Sequence, residues 1–311
     1  MSAGAALAEV SDQGKPPPTA SGAPGKGKWT PYLLLLPGAL WLAVFFVVPM
    51  ISLLGTSLQT GSFEEGYEQT FRFANYTEAL SEYWPQFVRS FVYAGIATLL
   101  CLAIAYPLAY CIAFKSGRWR NTLLVLVIAP FFTSFLIRTL AWQTILADNG
   151  VVTGTLNALH VTDVLNFLGL TEGDRILATP LAVITGLTYN FLPFMVLPIY
   201  AALDRMDPRL IEAAQDLYCS PWKSFRKVTW PLSLPGVVAG TLLTFIPAAG
   251  DYINAQLLGS PAYRMIGNVI DSQFFRVLDY PTAAALSFTL MATILVLVSF
   301  YVRRAGTEEL V

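Results

Sequence analysis

The stretch "IEAAQDLYCSPWKSFRKVTWPLSLPG", residues 211–236, interrupts a largely apolar sequence with a cluster of charged side chains. Acidic residues come first, basic residues follow, and the stretch closes with Pro231 and Pro235. This pattern is typical of a short polar helix that ends in a bend, because proline in a helix interior removes a backbone hydrogen bond. The role of this segment depends on the sequence on either side of it.

The composition of the whole chain is that of a membrane protein. Of its 311 residues, 55% are hydrophobic and 13% are charged, whereas roughly a quarter are charged in ordinary soluble domains. The mean hydropathy is +0.56. The formal net charge of −1 gives no bias toward nucleic acid. The three cysteines are interpreted as ordinary thiols and not as a disulfide framework.

Six stretches reach the roughly 20 apolar residues that a helix needs to cross the hydrocarbon core of a bilayer. The predicted spans are 31–56, 89–114, 121–146, 178–203, 231–258 and 282–302. The sequence therefore predicts an all-α integral membrane domain with six transmembrane helices over residues 29–305. We expect residues 1–28 to be a disordered cytoplasmic tail and 306–311 to be a short C-terminal tail.

Basic residues are distributed unevenly between the loops, and this predicts the orientation of the protein. Thirteen Lys and Arg side chains lie in the set of segments that includes both termini and the interval 205–227, and five lie in the opposite set. Because cytoplasmic loops carry the excess of Lys and Arg, we expect both termini in the cytoplasm. The loop 207–230 is then the longest cytoplasmic loop, where an intracellular partner is expected to bind.

That loop contains start signals for two helices. Asp207 is the predicted N-cap of the first helix, with Pro208 at its first helical position. Ser220 and Pro221 predict the start of the second helix in the same way.

The first helix is predicted to be amphipathic. Apolar residues at helical spacing form one face, namely Leu210, Ala213, Ala214 and Leu217. Arg209, Glu212 and Asp216 lie on the other side. Periodicity alone leaves two interpretations open, because such a helix can rest on lipid headgroups or dock on a protein partner.

The segment "EAAQDLY...FRKVTWPLSLPG" resembles the EAA loop of ABC-importer permeases. In that family the loop is the coupling helix, which seats in a groove of the ATPase subunit. The resemblance implies a docking role for Glu212, Ala213 and Ala214, and it puts Leu232 and Pro235 in the tail of the motif.

Three further residues of the helix belong to the implied coupling surface. Asp216 and Leu217 complete its C-terminal turn, and Tyr218 follows directly. Tyr218 stands where the family usually has glycine, so the sequence leaves open how the turn after the helix is made.

The resemblance extends over roughly residues 30–303 and points to the spermidine/putrescine type of permease, specifically the first of its two permease subunits. It is carried by "FANYTEAL" (73–80), "FLIRTLAWQTIL" (135–146), "YNFLPFMVLPIYAAL" (189–203) and "FIPAAGDYINAQLLG" (245–259). It implies the type I ABC-importer permease architecture in the bacterial inner membrane. The implied partners are a second homologous permease, an ATPase dimer, an extracytoplasmic substrate-binding protein and membrane lipid. The alternative to a polyamine is that the same kind of importer carries another small organic solute.

No ATP site is expected in this chain. "GAPGKGKW", residues 22–29, comes close to a phosphate-binding loop, but Trp29 stands where a Ser or Thr should hold magnesium, and no strand precedes it. We therefore expect this chain to bind no cofactor, and ATP and Mg²⁺ to be used by the partner ATPase.

Two ionisable residues within the predicted spans are candidates for the substrate pathway. Charges there are costly and usually face a cavity or a partner. Asp251 follows Pro247 and Gly250, which weaken the helix, and it could hold a cationic substrate. The alternative is a structural ion pair between Asp251 and Arg138.

Four neutral residues complete the candidate pathway. Trp142, Tyr189 and Tyr252 offer aromatic faces to ammonium groups, and Asn190 offers an amide. For Trp142 and Tyr252 the interfacial aromatic belt is the alternative.

The sequence gives little support to other classes of function. His160 is the only histidine and has no neighbouring ligands, so no metal site is predicted. No nucleophile, base and orienting group occur in a pattern that indicates an enzyme. A self-sufficient secondary transporter or channel remains the rival interpretation, although inverted repeats are not evident.

Overall fold

The computed structural model describes residues 30–159, 161–167, 171 and 173–305. The predicted tails, residues 1–28 and 306–311, lie outside the described residues, as do "GAPGKGKW" and His160. The chain divides into two compact units, residues 1–53 and 54–311. The described part of the first unit is helical throughout.

Almost all of the described chain is helical. The α-helices are α1 (Thr30–Leu42), α2 (Val48–Ser57), α3 (Ala74–Phe114), α4 (Arg120–Ile128), α5 (Phe135–Ile145), α6 (Val151–Ala158), α7 (Val161–Phe167), α8 (Pro180–Asp204), α9 (Pro208–Asp216), α10 (Pro221–Ser224), α11 (Trp230–Ala249), α12 (Ile253–Leu258), α13 (Ile266–Ser272) and α14 (Tyr280–Ala305). Short 3-10 turns cover Gly117–Trp119, Ala129–Phe132 and Pro261–Tyr263, and π-helical turns cover Ala43–Val47, Phe225–Thr229 and Gln273–Val277.

Within the described residues, five helices are long and apolar enough to cross a membrane. They are Tyr32–Ser57, Ala74–Phe114, Pro180–Asp204, Pro221–Ala249 and Tyr280–Arg304. Each overlaps one of the six predicted spans. A bent pair of helices adds a sixth crossing if both halves belong to one span.

The single helix predicted over 121–146 is wrong. The segments Gly117–Phe132 and Phe135–Ile145 are bent by 95°. Thr133 is extended at the break, with φ −100° and ψ 147°. Its backbone N–H and its hydroxyl both donate to the Pro130 carbonyl oxygen, at 3.1 and 2.7 Å. Side-chain bonding of this kind competes with helix continuation, and Pro130 itself has no N–H to donate.

The fifth predicted span, 231–258, is too long. Helix α11 ends at Ala249, and α12 begins only at Ile253. The weakening of the helix expected from Pro247 and Gly250 is confirmed at this break. Asp251 lies within the break, and its Oδ1 accepts the backbone N–H of Asn254, in the first turn of α12, at 2.8 Å.

A small β-hairpin was not predicted. Strands β1 (Gln59–Ser62) and β2 (Gly66–Gln69) pair antiparallel. Gly61 has φ +124°, and a Cβ there would lie 2.0 Å from the Gly66 carbonyl oxygen, so only glycine allows this approach. The Asn75 amide donates to the Gln59 carbonyl oxygen at 2.8 Å and fixes the hairpin to α3.

The core of the second unit is built where α3, α8 and α11 pack together. The Pro180–Asp204 helix is the most deeply buried of the candidate spans. Two glycines bring α11 against it: a Cβ on Gly236 would lie 2.6 Å from the Pro198 carbonyl oxygen, and one on Gly240 would lie 3.1 Å from that of Met195. Small residues four apart allow such close packing of membrane helices.

Candidate functional site

Both helices of the loop 207–230 begin where the sequence predicts. The Asp207 carboxylate accepts the Arg209 backbone N–H at 3.0 Å, and Pro208 opens α9. The Ser220 hydroxyl oxygen accepts the Lys223 backbone N–H at 3.4 Å, at the start of α10. These caps satisfy backbone donors that a helix start otherwise leaves unpaired.

Helix α9 presents most of its surface outward. Glu212, Ala213 and Asp216 are exposed, whereas Ala214 is buried. The predicted apolar stripe is largely uncovered by the described residues, since Leu210 and Leu217 at its ends are exposed. The helix instead rests on the core through Ala214 and the half-buried Ile211, one turn apart.

The end of the loop is anchored by aromatic side chains. The Tyr106 ring lies edge-on to Phe225, with centroids 5.7 Å apart, and 5.1 Å from the Trp230 ring. The Tyr106 hydroxyl is 2.8 Å from the Ser233 hydroxyl oxygen. The chain after α10 is therefore fixed to α3 at the point where α11 begins.

The tail of the motif meets α9 at a cavity. Leu232 and Pro235 of α11 line this cavity of about 530 Å³ together with Leu210 of α9 and Pro198 of α8. The structure thus brings the two ends of the predicted coupling motif to one place.

Tyr218 makes the turn after α9 in a conformation that favours glycine. Its φ is +58°. Its N–H donates to the Gln215 carbonyl oxygen at 2.9 Å, and the Cys219 N–H donates to that of Ala214 at 3.1 Å. This is the Schellman arrangement, in which the residue corresponding to Tyr218 is usually glycine. A residue with a Cβ pays roughly 1–2 kcal/mol for the left-handed conformation.

A second cluster lies buried between α5, α8 and the break before α12. The Asn190 amide nitrogen donates to the Thr139 hydroxyl oxygen at 3.2 Å and to Asn254 Oδ1 at 3.0 Å. The Asn254 amide nitrogen in turn donates to Asp251 Oδ2 at 3.2 Å. All four residues are buried, and Asn190 Oδ1 has no hydrogen-bond partner in the described residues.

Asp251 and Arg138 do not pair with each other. Among the described residues the ion pairs are Arg72–Glu78, Arg120–Asp204 and Arg175–Asp148. The Arg138 guanidinium lies 5.7 Å from the ring centroids of both Phe131 and Phe135, and its Nε and Nη1 have no hydrogen-bond partner there. Asp251 is 8% exposed, and no basic side chain in the described residues forms an ion pair with it.

The predicted aromatic residues are partly brought together. The Trp142 and Tyr189 rings meet edge-on with centroids 5.3 Å apart, and Trp142 Nε1 has no hydrogen-bond partner in the described residues. Tyr252 is next to Asp251 in the chain and is exposed, and its carbonyl oxygen accepts the Asn268 amide at 2.7 Å. It shares no ring contact with the other two in the described residues.

Two members of the buried cluster were missed from the sequence. Thr139 and Asn254 are uncharged polar residues within apolar segments, and neither was predicted as a site residue. The available signal was spacing: Asn254 is three residues after Asp251, a short step along a helix, and Thr139 directly follows Arg138.

Comparison with known proteins yields one family and several relatives. Residues 105–305 match the family "Binding-protein-dependent transport system inner membrane component". The spermidine/putrescine transport system permease protein PotB of Haemophilus influenzae is 36% identical over 85% of this chain and 90% of its own length. PotB of Escherichia coli is 38% identical over 80% and 88%. The inner membrane ABC transporter permease protein YdcU of Escherichia coli is 32% identical over 89% and 90%.

The fold is similar to that of solved ABC transporters. One is a bacterial ABC transporter involved in the import of the acidic polysaccharide alginate, with a TM-score of 0.62, 20% identity and coverage of 90% of this chain and 96% of that chain. Another is the bacterial alginate transporter in complex with an alginate pentasaccharide-bound periplasmic protein, with a TM-score of 0.64, 20% identity and coverage of 89% and 94%.

Proposed function

Because this chain belongs to the family of binding-protein-dependent transport system inner membrane components, we propose that it forms half of the translocation pathway of an ATP-driven polyamine importer. The observation that carries this proposal is 36–38% identity to spermidine/putrescine permeases over most of the chain. The relatives are transport permeases and not enzymes, so the work of this chain is conformational.

The loop 207–230 is proposed to transmit the conformational change of the ATPase subunits to the membrane helices. Helix α9 is capped at its start, closed by a hydrogen-bonded turn at its end, and exposes Glu212 and Ala213. A helix with fixed ends docks as a rigid body and loses little conformational entropy on binding. Because the chain after α10 is fixed to α3 by Tyr106, a displacement of α9 is transmitted to the membrane helices.

The proposed assembly contains this chain, a second homologous permease, an ATPase dimer and an extracytoplasmic binding protein. ATP and Mg²⁺ are used by the ATPase dimer, and this chain binds no cofactor of its own. The bent pair Gly117–Ile145 counts as one crossing, which makes six spans with both termini in the cytoplasm of a bacterium. Lipid surrounds the spans, and no nucleic acid is involved.

The buried cluster is proposed to line the substrate pathway. Asp251 supplies a negative charge at membrane depth, and such charges mark substrate routes when no structural partner neutralises them. Asn190 offers an acceptor oxygen without a partner in the described residues. Trp142 and Tyr189 supply aromatic faces that attract ammonium groups. Arg138, at the bend, and Tyr252, beside Asp251, complete the candidate pathway.

The test is uptake of radiolabelled spermidine and putrescine by a strain that lacks its own polyamine importers and expresses the complete transporter. We expect saturable, ATP-dependent uptake. The substrate needs a direct test because one relative, the permease YdcU, has a name that states no substrate. Uptake of neither polyamine, with uptake of a different organic solute, would contradict the substrate assignment and leave the permease assignment intact.

The coupling role is tested with Glu212→Lys and Glu212→Ala. A lysine introduces a like charge opposite the basic groove that a docked carboxylate requires, and such contacts cost several kcal/mol. We expect Glu212→Lys to lose the ATPase subunits or to abolish substrate-stimulated ATP hydrolysis, and Glu212→Ala to do so less severely. Native transport by Glu212→Lys would exclude residue 212 from the docking surface.

A further inference from the structure

Tyr218 is unusual in its backbone and open in its side chain. Its backbone is left-handed, with φ +58°, and its side chain is 99% exposed. Leu217, the residue before it, is 77% exposed. The C-terminal end of α9 therefore carries an aromatic and an aliphatic side chain that the described residues leave uncovered.

The phenol ring contributes nothing to the turn that holds it. The hydrogen bonds of the turn join the backbone N–H groups of Tyr218 and Cys219 to the carbonyl oxygens of Gln215 and Ala214. Glycine at position 218 would make the same bonds without steric cost. Strained backbone conformations persist where they serve a function. Because the turn does not need the side chain of Tyr218, we assign that function to the exposed ring.

We propose that Tyr218, with Leu217 beside it, is an anchor that inserts into an apolar pocket of the ATPase subunit. The inference rests on the proposed function, in which α9 docks on that subunit. Aromatic side chains that enter a pocket at the centre of an interface carry a large share of its binding energy. The rigid turn fixes the direction of the ring before docking, so little entropy is lost when it binds.

The charges next to Tyr218 favour a protein partner over a membrane surface. Helix α9 exposes two acidic residues, Glu212 and Asp216, against one basic residue, Arg209. The exposed basic residues Lys223, Arg226 and Lys227 lie in the segments after α9. Anionic lipid headgroups would repel the acidic surface of α9, whereas a protein pocket with a basic rim would attract it. The surface that fits is thus an apolar pocket bordered by Lys or Arg side chains.

The test is binding of the purified ATPase subunit, the one that supports transport with this chain, to the permease pair in lipid nanodiscs. Tyr218→Gly removes the ring and suits the left-handed turn, so the loop keeps its fold. We expect this variant to bind the ATPase subunit at least about tenfold more weakly, as for loss of an aromatic anchor. Tyr218→Phe keeps the ring and should bind within about threefold of the native chain.

Trp119→Ala is the matched control. Trp119 is also an exposed aromatic residue, at 58%, on the predicted cytoplasmic side, and it lies in the turn Gly117–Trp119 outside the coupling loop. Its loss should leave binding unchanged.

Glu212→Lys in the same assay separates this inference from the proposed function. If Tyr218→Gly binds normally while Glu212→Lys does not, Tyr218 is no anchor and the docking role of α9 stands. If both variants bind normally, both proposals fail. A photoreactive benzoylphenylalanine at position 218 should crosslink to the ATPase subunit, and crosslinking to phospholipid alone would overturn the inference.

Discussion

Asp251 has an observed role in the fold and a proposed role in transport. Its two carboxylate oxygens accept the backbone N–H and the amide of Asn254, at 2.8 and 3.2 Å. These bonds start α12 and orient Asn254 toward Asn190. They satisfy the hydrogen-bonding capacity of the carboxylate only in part and do not neutralise its charge. The partner that we propose for this carboxylate is a cationic substrate.

We expect Asp251→Asn to lower spermidine uptake at least about tenfold while the ATPase subunits still co-purify with the permease. The substitution removes the charge that is proposed to attract the substrate. A loss of about 1.4 kcal/mol in transition-state stabilisation lowers the rate tenfold. Uptake by reconstituted vesicles measures the first effect, and gel filtration of the complex measures the second.

Asn190→Ala is the comparison for charge, because it breaks the same cluster and removes a proposed substrate contact without changing the charge. It should reduce uptake less than Asp251→Asn does. Equal effects of the two substitutions would show that the negative charge of Asp251 has no special role in uptake. Since Arg138 and Asp251 do not form an ion pair, Arg138→Gln should not rescue Asp251→Asn.

At the scale of single elements, the contact between α8 and α11 determines how the coupling motif joins the membrane core. Gly236 directly follows Pro235 in the tail of the motif. A Cβ at position 236 would lie 2.6 Å from both the Pro198 carbonyl oxygen and the Ala202 Cβ. The two helices can approach this closely only because residue 236 has no side chain.

We expect Gly236→Ala to destabilise the protein by about 1–3 kcal/mol, the usual cost of overpacking a tight contact. Thermal unfolding of the purified permease in detergent measures the change. The matched control is Gly95→Ala within α3, where an added Cβ meets nothing within 4 Å. This control should be neutral or slightly stabilising, because alanine is the better helix former. Equal unfolding temperatures for the two variants would contradict the close approach.

The straight spans and the caps of the coupling loop could be predicted from sequence, because both depend on local properties. An apolar run of sufficient length specifies a membrane helix, and the pairs Asp207–Pro208 and Ser220–Pro221 specify helix starts. The bend at Thr133 was not predicted although Pro130 precedes it, because proline also occurs inside spans that stay helical, as Pro193 and Pro198 do in α8.

The candidate site was predictable only where a residue is conspicuous. Asp251 and Asn190 stand out as polar residues in apolar segments. Thr139 and Asn254 are recognised as members of the cluster only in the folded chain, where α5, α8 and α12 meet. The same holds for Tyr218. Its left-handed backbone follows from the turn that closes α9, and no local preference of tyrosine indicates it.

For the whole molecule, the number of membrane crossings depends on the bent pair Gly117–Ile145. If both halves form one span, Arg118 and Asn149 lie on opposite sides of the membrane. If the pair is re-entrant, they lie on the same side. The next crossing, α8, leads into the coupling loop. That loop therefore faces the same side as Arg118 only if the bent pair crosses the membrane.

We expect single cysteines at exposed positions to report six spans with both termini in the cytoplasm. In a background without Cys101, Cys111 and Cys219, an impermeant thiol reagent should label Thr70→Cys and Asn149→Cys in intact spheroplasts. Arg118→Cys, and the native Cys219 restored alone in the coupling loop, should react only after permeabilisation. Thr70, Arg118 and Asn149 are all exposed in the structure, so protection of one of them reflects the membrane and not burial.

Two outcomes would contradict this topology in different ways. Labelling of Arg118→Cys from outside would invert the orientation that the excess of basic residues predicts. Protection of Asn149→Cys together with labelling of Cys219 from outside would make the bent pair re-entrant and leave five spans. The coupling loop would then lie outside the cell, where no ATP-hydrolysing subunit could reach Glu212. The coupling proposal therefore requires that the bent helix pair cross the membrane, and a single labelling experiment tests both.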